Sequence, residues 1–256
     1  MTQTQDLENT GIIVTGSSRG VGAATAQLLA QRGAGVVINY RQKAPRANKI
    51  VKQIEETGGK AVAIGADITT DEGRKAMIDA ATDNFGGLKV LILNASGGME
   101  SDLGSDYAMQ LNRDAQVSML KAAAEVMEPG SQIVFVTSHQ AHFIDDVPTM
   151  PEYEPVAKSK RAGEVALREH IPLLKEKGIG FVVVTADMIE GTITATLLNR
   201  LNPDAIESRR QAAGRLYTVE EFAEEIAALV GRDDLAVGHT EYVGGANDYF
   251  EQLKNK

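Results

Sequence analysis

The chain has no cysteine among its 256 residues. Disulfides, thiolate metal sites and cysteine nucleophiles are thereby excluded. Basic residues are in deficit: 26 Lys and Arg stand against 35 Asp and Glu, a formal net charge of −9. They form no cluster, and phosphate backbones are bound by such clusters, so no nucleic-acid partner is expected. No apolar stretch approaches the roughly 18 residues of a membrane span, so no membrane partner is expected. The opening MTQTQDLENT lacks the basic start and apolar run of a secretory signal. A cytoplasmic protein is the expectation. Repeats, low-complexity tracts and linker-like shifts in composition are also missing. At 43% hydrophobic residues the chain can bury a large core, and residues 1–256 read as one domain.

What is present is alternation. Short Val- and Ile-rich runs lie at residues 11–15, 35–39, 61–65, 89–94, 132–137, 180–185 and 241–244. They are nearly continuous in apolar residues, as strands buried on both faces of a parallel sheet are. Amphipathic stretches separate them at 20–31, 44–56, 71–85, 104–127, 155–177 and 218–230. Strands alternating with helices predict a doubly wound parallel sheet of the α/β class, the Rossmann fold, in a single domain. Residues 191–211 interrupt the alternation with a helix-prone segment, which reads either as a lid over a site or as a surface helix.

The first apolar run passes directly into Thr15-Gly16-Ser17-Ser18-Arg19-Gly20-Val21-Gly22, and a helical pattern follows. Glycine lets a pyrophosphate approach the main chain. The helix start presents unpaired N–H groups and the positive dipole end to an anion. Gly16, Ser18, Arg19, Gly20, Val21 and Gly22 are therefore candidate dinucleotide-binding residues. The second run ends Asn39-Tyr40-Arg41, without the acidic residue that would bind a ribose 2′-hydroxyl. Arg41, beside Tyr40, can instead hold a 2′-phosphate, with Arg19 as a second cation. NADP(H) is the expected cofactor; the alternative is that Arg41 only solvates a loop.

The glycine spacing resembles the TGxxxGxG motif of the short-chain dehydrogenase/reductase family. The resemblance continues along most of the chain. Ala66-Asp67-Ile68 resembles the family's adenine-contacting element. Leu93-Asn94-Ala95-Ser96-Gly97 is similar to its NNAG element, with Leu in place of the first Asn. Asn112 matches its helix asparagine, Ser138 its catalytic serine, and Ser159-Lys160-Arg161-Ala162 its SKxA run. The resemblance implies hydride transfer between NADP(H) and a small-molecule carbonyl or alcohol, with a reductase the expected direction. It implies that Asp67 and Ile68 flank adenine and that Asn94 and Ala95 pass the ribose. Ser138 would orient the substrate oxygen, Lys160 the nicotinamide ribose, and Asn112 a proton-relay water. It also implies a homodimer or homotetramer formed through the helices at 104–127 and 155–177.

The pattern breaks at the proton donor. The family carries Tyr-x-x-x-Lys, but here Val156 stands four residues before Lys160. Tyr153, seven residues before Lys160, can substitute, and Pro155 suggests that it lies in the loop before the helix. His139 or His142, just after Ser138, can titrate near neutrality and offers a second donor. Otherwise the chain has kept only NADP(H) binding, as a sensor or scaffold. His139, His142, Asp145 and Asp146 read as an ordinary polar loop, with no metal expected. The family's Pro-Gly after the sixth strand is replaced within Thr185-Ala186-Asp187-Met188-Ile189-Glu190-Gly191-Thr192. Ile189 and Thr192 can still meet the nicotinamide, while Asp187 is either a charge near it or, the favoured reading, a local cap.

Overall fold

The computed structural model describes residues 7–99 and 106–254. Its strands are β1 (Gly11–Val14), β2 (Gly35–Tyr40), β3 (Lys60–Gly65), β4 (Val90–Leu93), β5 (Gln132–Ser138), β6 (Gly180–Ala186), β7 (Ile189–Glu190), β8 (Tyr217–Thr218) and β9 (His239–Val243). Seven of them form one all-parallel sheet in the order β3-β2-β1-β4-β5-β6-β9, and β7 pairs with β8 alone. The helices of the first half are α1 (Gly20–Gln31), α2 (Ala44–Glu56), α3 (Asp71–Phe85), α4 (Tyr107–Met109), a π-helical turn (Gln110–Asp114) and α5 (Ala115–Val126). Then follow α6 (His139–His142), α7 (Glu154–Arg168), α8 (Ile171–Glu176), α9 (Ile193–Leu201), α10 (Ala205–Ala213), α11 (Val219–Leu229) and α12 (Ala246–Lys254).

The sheet is doubly wound because its central strands are apolar on both faces. Ile12, Val14, Val36 and Ile38 join one core with Leu29, Ile54 and Phe222 from α1, α2 and α11. Ile13, Val37 and Leu91 join the other with Met77, Met119 and Leu167 from α3, α5 and α7. Successive residues thus point to opposite cores, the two-residue period of a strand. Among the described residues no helix is long and apolar enough to cross a membrane.

Two expected helices are broken in the structure. The stretch 104–127 begins, within the described residues, at α4 and carries the π-helical turn before α5; residues 104 and 105 lie outside the described residues. The stretch 155–177 divides into α7 and α8, because Pro172 near the start of α8 cannot donate to a preceding turn. The segment 191–211 is likewise two helices, α9 and α10, separated at Asn202–Asp204.

The π-helical turn sets the seating of α7. A Cβ at Gly163 would lie 2.0 Å from the Asn112 carbonyl oxygen, so only glycine permits this approach. Beside it, Asn112 Nδ2 donates to Ser159 Oγ at 2.9 Å, and Ser159 Oγ donates to the Val156 carbonyl at 2.8 Å. These contacts fix where the first turns of α7 face the carboxyl ends of β4 and β5.

Candidate functional site

A cleft of 740 Å³ runs along the carboxyl ends of the strands. It opens where the order reverses between β1 and β4, the place where open α/β sheets bind ligands. One end is the turn between β1 and α1. Gly16 and Gly20 take positive φ of 65° and 57°. A Cβ on Gly22 would stand 2.5 Å from Asn94 Nδ2, so the turn has no room for a side chain there. The N-cap of α1, Arg19, gives no side-chain cap bond to the first helical turn. The first N–H groups of the helix are thus left for an anion.

The turn is locked from both sides. The Gly16 N–H donates to Asn39 Oδ1 at 2.9 Å, and the Asn39 N–H donates to Ser17 Oγ at 2.9 Å. Asn39 Nδ2 donates to the Ala66 carbonyl at 3.0 Å. Asn94 Nδ2 donates to the Thr15 carbonyl at 2.9 Å. Asn39, where the sequence shows only the absence of an acid, is a buried strut of the cradle.

Arg19, Arg41, Lys43 and Arg46 all border this end, a local concentration of cations on a chain of net charge −9. The Arg41 guanidinium donates to Tyr107 Oη and lies 5.3 Å from the centre of that ring. Arg41 is therefore held by an aromatic ring from a distant helix rather than standing alone in a loop. Asp67 and Ile68 border the cleft, and Asp67 Oδ1 accepts from the Thr69 N–H and hydroxyl at 2.9 and 2.7 Å. Ser18, Val21, Tyr40, Asn94, Ala95, Ile189 and Thr192 also border it. The Thr192 hydroxyl is occupied as the cap of α9: it accepts from the Ala195 N–H at 3.2 Å and donates to the Ile189 carbonyl at 2.8 Å.

At the other end, Ser138 Oγ lies 3.3 Å from Tyr153 Oη. Ser138 closes β5, and Tyr153 stands just before the first residue of α7, ahead of Pro155. The phenol reaches the serine from the loop, and Val156 faces the cleft where the Tyr-x-x-x-Lys pattern would put a hydroxyl. Lys160 borders the same space, and its ammonium makes no hydrogen bond or ion pair with the described residues. Asn112 is not in the cleft wall. Its Oδ1 accepts from the Gly97 N–H at 3.2 Å, and its Nδ2 donates to the Gly97 carbonyl at 2.8 Å and to Ser159. The Asn112 side-chain amide thus ties the loop after β4 to α7.

Neither histidine faces the cleft. His139 is fully buried, with Nε2 2.6 Å from the Gly244 carbonyl and Nδ1 3.0 Å from Thr185 Oγ1. A carbonyl only accepts, so Nε2 carries the proton. Burial pushes the His139 pKa below its ordinary value, against the pull of Gly244 and Asp187. His142 donates from Nδ1 to Glu164 at 2.9 Å and meets Tyr242 Oη at 3.1 Å. Asp145 accepts from Arg161 Nε at 2.8 Å. Among the described residues no group of three His, Asp or Glu gathers to hold a metal.

The partners of two buried acids, Glu164 and Asp187, were not legible from sequence. Glu164 has no exposed side-chain surface and meets His142, Arg168 Nε at 2.9 Å and Arg161 Nη1 at 3.5 Å. Burial would raise its pKa, but His142 and Arg168 outweigh that and hold it below the ordinary carboxylate range. Asp187 is more than the local cap favoured from sequence. Its Oδ1 does accept from the Met188 N–H at 2.7 Å, but both its oxygens also pair with Arg209 of α10. Arg209 in turn reaches Asp248 at 3.0 Å and lies over the Tyr249 ring of α12 at 5.0 Å. The Asp187 charge at this end of the cleft is thus neutralised by a side chain 22 residues away.

Comparison with known proteins places these features. A sequence model of the short chain dehydrogenases matches residues 10–202. The chain is 31% identical to a 1-cyclohexenylcarbonyl-CoA reductase of Streptomyces collinus, over 90% of this chain and 82% of that protein. A short chain dehydrogenase of Burkholderia cenocepacia, solved in complex with NADP, is 27% identical with a TM-score of 0.78, covering 94% of this chain and 98% of the other. A short-chain dehydrogenase/reductase of Caenorhabditis elegans, solved with cofactor, is 26% identical with a TM-score of 0.81, covering 96% and 97%.

Two stability measurements follow from the buried groups. Arg209→Ala leaves Asp187 as an unpaired buried carboxylate and should cost about 3–5 kcal/mol in urea unfolding. The double variant Asp187→Ala/Arg209→Ala should recover part of that loss; a single-variant cost near zero would mean that the pair is solvated. His139, with its folded pKa lowered, binds fewer protons folded than unfolded as pH falls below about 6.5. Its contribution is complete above that value and is lost as pH drops toward the folded pKa. The stability gap between wild type and His139→Gln should therefore be larger at about pH 8 than at about pH 5.5. An equal gap at both would mean that His139 titrates normally.

Proposed function

Because the chain belongs to the short-chain dehydrogenase family, we propose that it is an NADP(H)-dependent reductase of a small-molecule carbonyl group, able also to oxidise the matching alcohol. The family makes it an oxidoreductase with a nicotinamide cofactor; the preference for NADP(H) and the identity of the proton donor are this reading's own additions. The observation that carries it is the Ser138–Tyr153 pair, 3.3 Å apart, in one cleft with Lys160.

The residues present fit the cofactor. The turn has no room for a Cβ at Gly22, the α1 N–H groups have no side-chain cap, and four cations border the same end. Gly16, Gly20 and Gly22 would let the diphosphate meet the main chain, and Arg41, with Arg19, would hold the 2′-phosphate. Asp67 and Ile68 would flank adenine, with Asn94 and Ala95 along the ribose. Ile189 would meet the nicotinamide. Thr192 would do so through its backbone, since its hydroxyl caps α9. Lys160, without a hydrogen bond or ion pair among the described residues, would hold the nicotinamide ribose. Bound here, NADPH supplies a hydride to the carbonyl carbon. Ser138 donates a hydrogen bond to the carbonyl oxygen, and Tyr153 Oη gives that oxygen its proton. Val156 cannot take part, and Tyr153 is the hydroxyl that meets Ser138.

A second reading is favoured by the Streptomyces collinus relative, whose name describes reduction of a conjugated thioester. In conjugate reduction two atoms separate the carbon that receives hydride from the oxygen that receives charge. A phenol delivered from outside α7, rather than from Val156, suits an oxygen set further along the cleft. Assay of a simple ketone beside a conjugated enoyl thioester separates the two readings. NADPH binding without turnover on either would leave a cofactor-binding protein.

Arg41→Ala should weaken NADPH binding by about 10- to 100-fold, the scale of a lost charged hydrogen bond, and leave NADH nearly unchanged. Fluorescence titration reads both; equal wild-type affinities for the two nucleotides would overturn the NADP(H) assignment. Tyr153→Phe should lower kcat by about 10²-fold or more, the scale of a lost general acid. NADPH affinity should stay within about twofold, because the phenol meets substrate alone. An unchanged kcat would remove Tyr153 from the chemistry.

A further inference from the structure

We infer that Gln140 is a substrate-recognition residue, and that the substrate is an uncharged, largely apolar carbonyl compound bearing a second neutral group that hydrogen-bonds, such as a hydroxyl. This rests on the reductase reading of the cleft and names its substrate class.

Gln140 lies two residues beyond Ser138, in α6, and borders the cleft. The residue is only 6% exposed, yet its side-chain amide makes no hydrogen bond with the described residues. The buried asparagines around the site are committed: Asn39, Asn94 and Asn112 each bind main chain at 2.8–3.0 Å. Gln116 Nε2 donates to the Ala95 carbonyl at 2.8 Å, while its Oε1 is sealed away without a partner among the described residues. Unlike the sealed Gln116 Oε1, the Gln140 amide keeps contact with the cleft, where water or a ligand can complete its hydrogen bonds. Gln140 is not sealed in the core but borders the cleft, so a group bound there can reach it.

The surroundings define what that group belongs to. Met99, Val156, Met188, Ile193 and Leu198 supply apolar wall at this end. Asp187 is neutralised by Arg209, so it offers no free carboxylate to a cationic substrate. The cations Arg19, Arg41, Lys43 and Arg46 stand with the glycine turn at the other end, and Lys160 is assigned to the ribose. Among the described residues an anionic substrate therefore finds no counter-ion left for it at this end. An amide both donates and accepts, which suits a hydroxyl on an otherwise apolar skeleton.

The test uses the full chain with NADPH and a defined probe set: 1-tetralone, its ring-hydroxylated isomers and a ring-carboxylated one. Wild type should bind and reduce at least one hydroxytetralone with a KM about tenfold or more below that of 1-tetralone, the scale of one hydrogen bond. Gln140→Leu should remove that advantage while leaving the KM for 1-tetralone and the NADPH Kd within about twofold. Gln140→Met, unbranched and of similar length, serves the same purpose if the leucine variant does not fold. A hydroxyl advantage that survives both variants, or its absence in wild type, overturns the inference, as does preference for the carboxylated probe. If no probe is turned over, the reductase reading fails separately. Calorimetric affinities of the same probes for the NADPH complex then decide the Gln140 assignment, and no binding by any of them rejects it.

Discussion

Between β1 and β4 the strand order reverses, so the chain leaving β1 turns one way along the sheet while the chain leaving β4 turns the other. The carboxyl ends of these strands are left without a crossover above them, and a crevice is unavoidable there. Everything functional is arranged around that gap. The glycine turn fills its floor, and Asn39 and Asn94 reach in from the two neighbouring strands to hold it. Both amides come from strand ends whose positions are set by sheet register, Ile38 beside Val14 and Ile92 on the other side of it. The cradle is rigid because the sheet is.

The far end of the cleft is braced by ionic links rather than by the sheet. Arg209 ties α10 to Asp187 just after β6 and to Asp248 on α12. Glu164 gathers α6, through His142, together with Arg161 and Arg168 of its own helix. Buried pairs of this kind add little net stability, since desolvation offsets most of their attraction, but breaking one is expensive. The Arg209 links penalise other placements of α10 against the segment after β6 and against α12. That end of the cleft thereby acquires definition where apolar contacts alone would allow slippage.

Sequence carried the fold well, for a physical reason. Strands buried on both faces must be almost wholly apolar, and Ile12, Ile13 and Val14 or Val36, Val37 and Ile38 announce themselves. The glycine turn was legible because close approach leaves no alternative residue. The Ser138–Tyr153 meeting was readable only as one option among three, because a loop before a helix has no fixed direction. Arg209 with Asp187, Arg41 with Tyr107 and Asn39 with Gly16 were not readable, for their partners lie 22, 66 and 23 residues away with no period to connect them. The π-helical turn was hidden for another reason: its residues fit an α-helical pattern, and it is the close seating of Gly163 on Asn112 that goes with the irregularity.

The displaced tyrosine and the open glutamine bear on one another. A residue at the place of Val156 lies one helical turn from Lys160, and a hydroxyl there would sit close to the ribose that the lysine is assigned to hold. Replacing it by valine makes that part of the wall apolar and moves the hydroxyl to a segment outside the helix. Tyr153 then depends on the packing of its own loop, where it sits in a small apolar cluster with Ala141, Met188 and Leu198. That cluster joins α6, the segment after β6 and α9. The element that carries Gln140 is thus packed against the element that carries the phenol. A substrate spanning both would be gripped at its reacting oxygen by Ser138 and Tyr153 and at a second polar group by Gln140. Two anchors on a skeleton that is otherwise in apolar contact fix its orientation, and orientation is what hydride transfer to one face of a flat carbonyl requires. The loss of the usual tyrosine position is then compatible with catalysis, because the geometry it supplied is shared between α6 and the loop before α7.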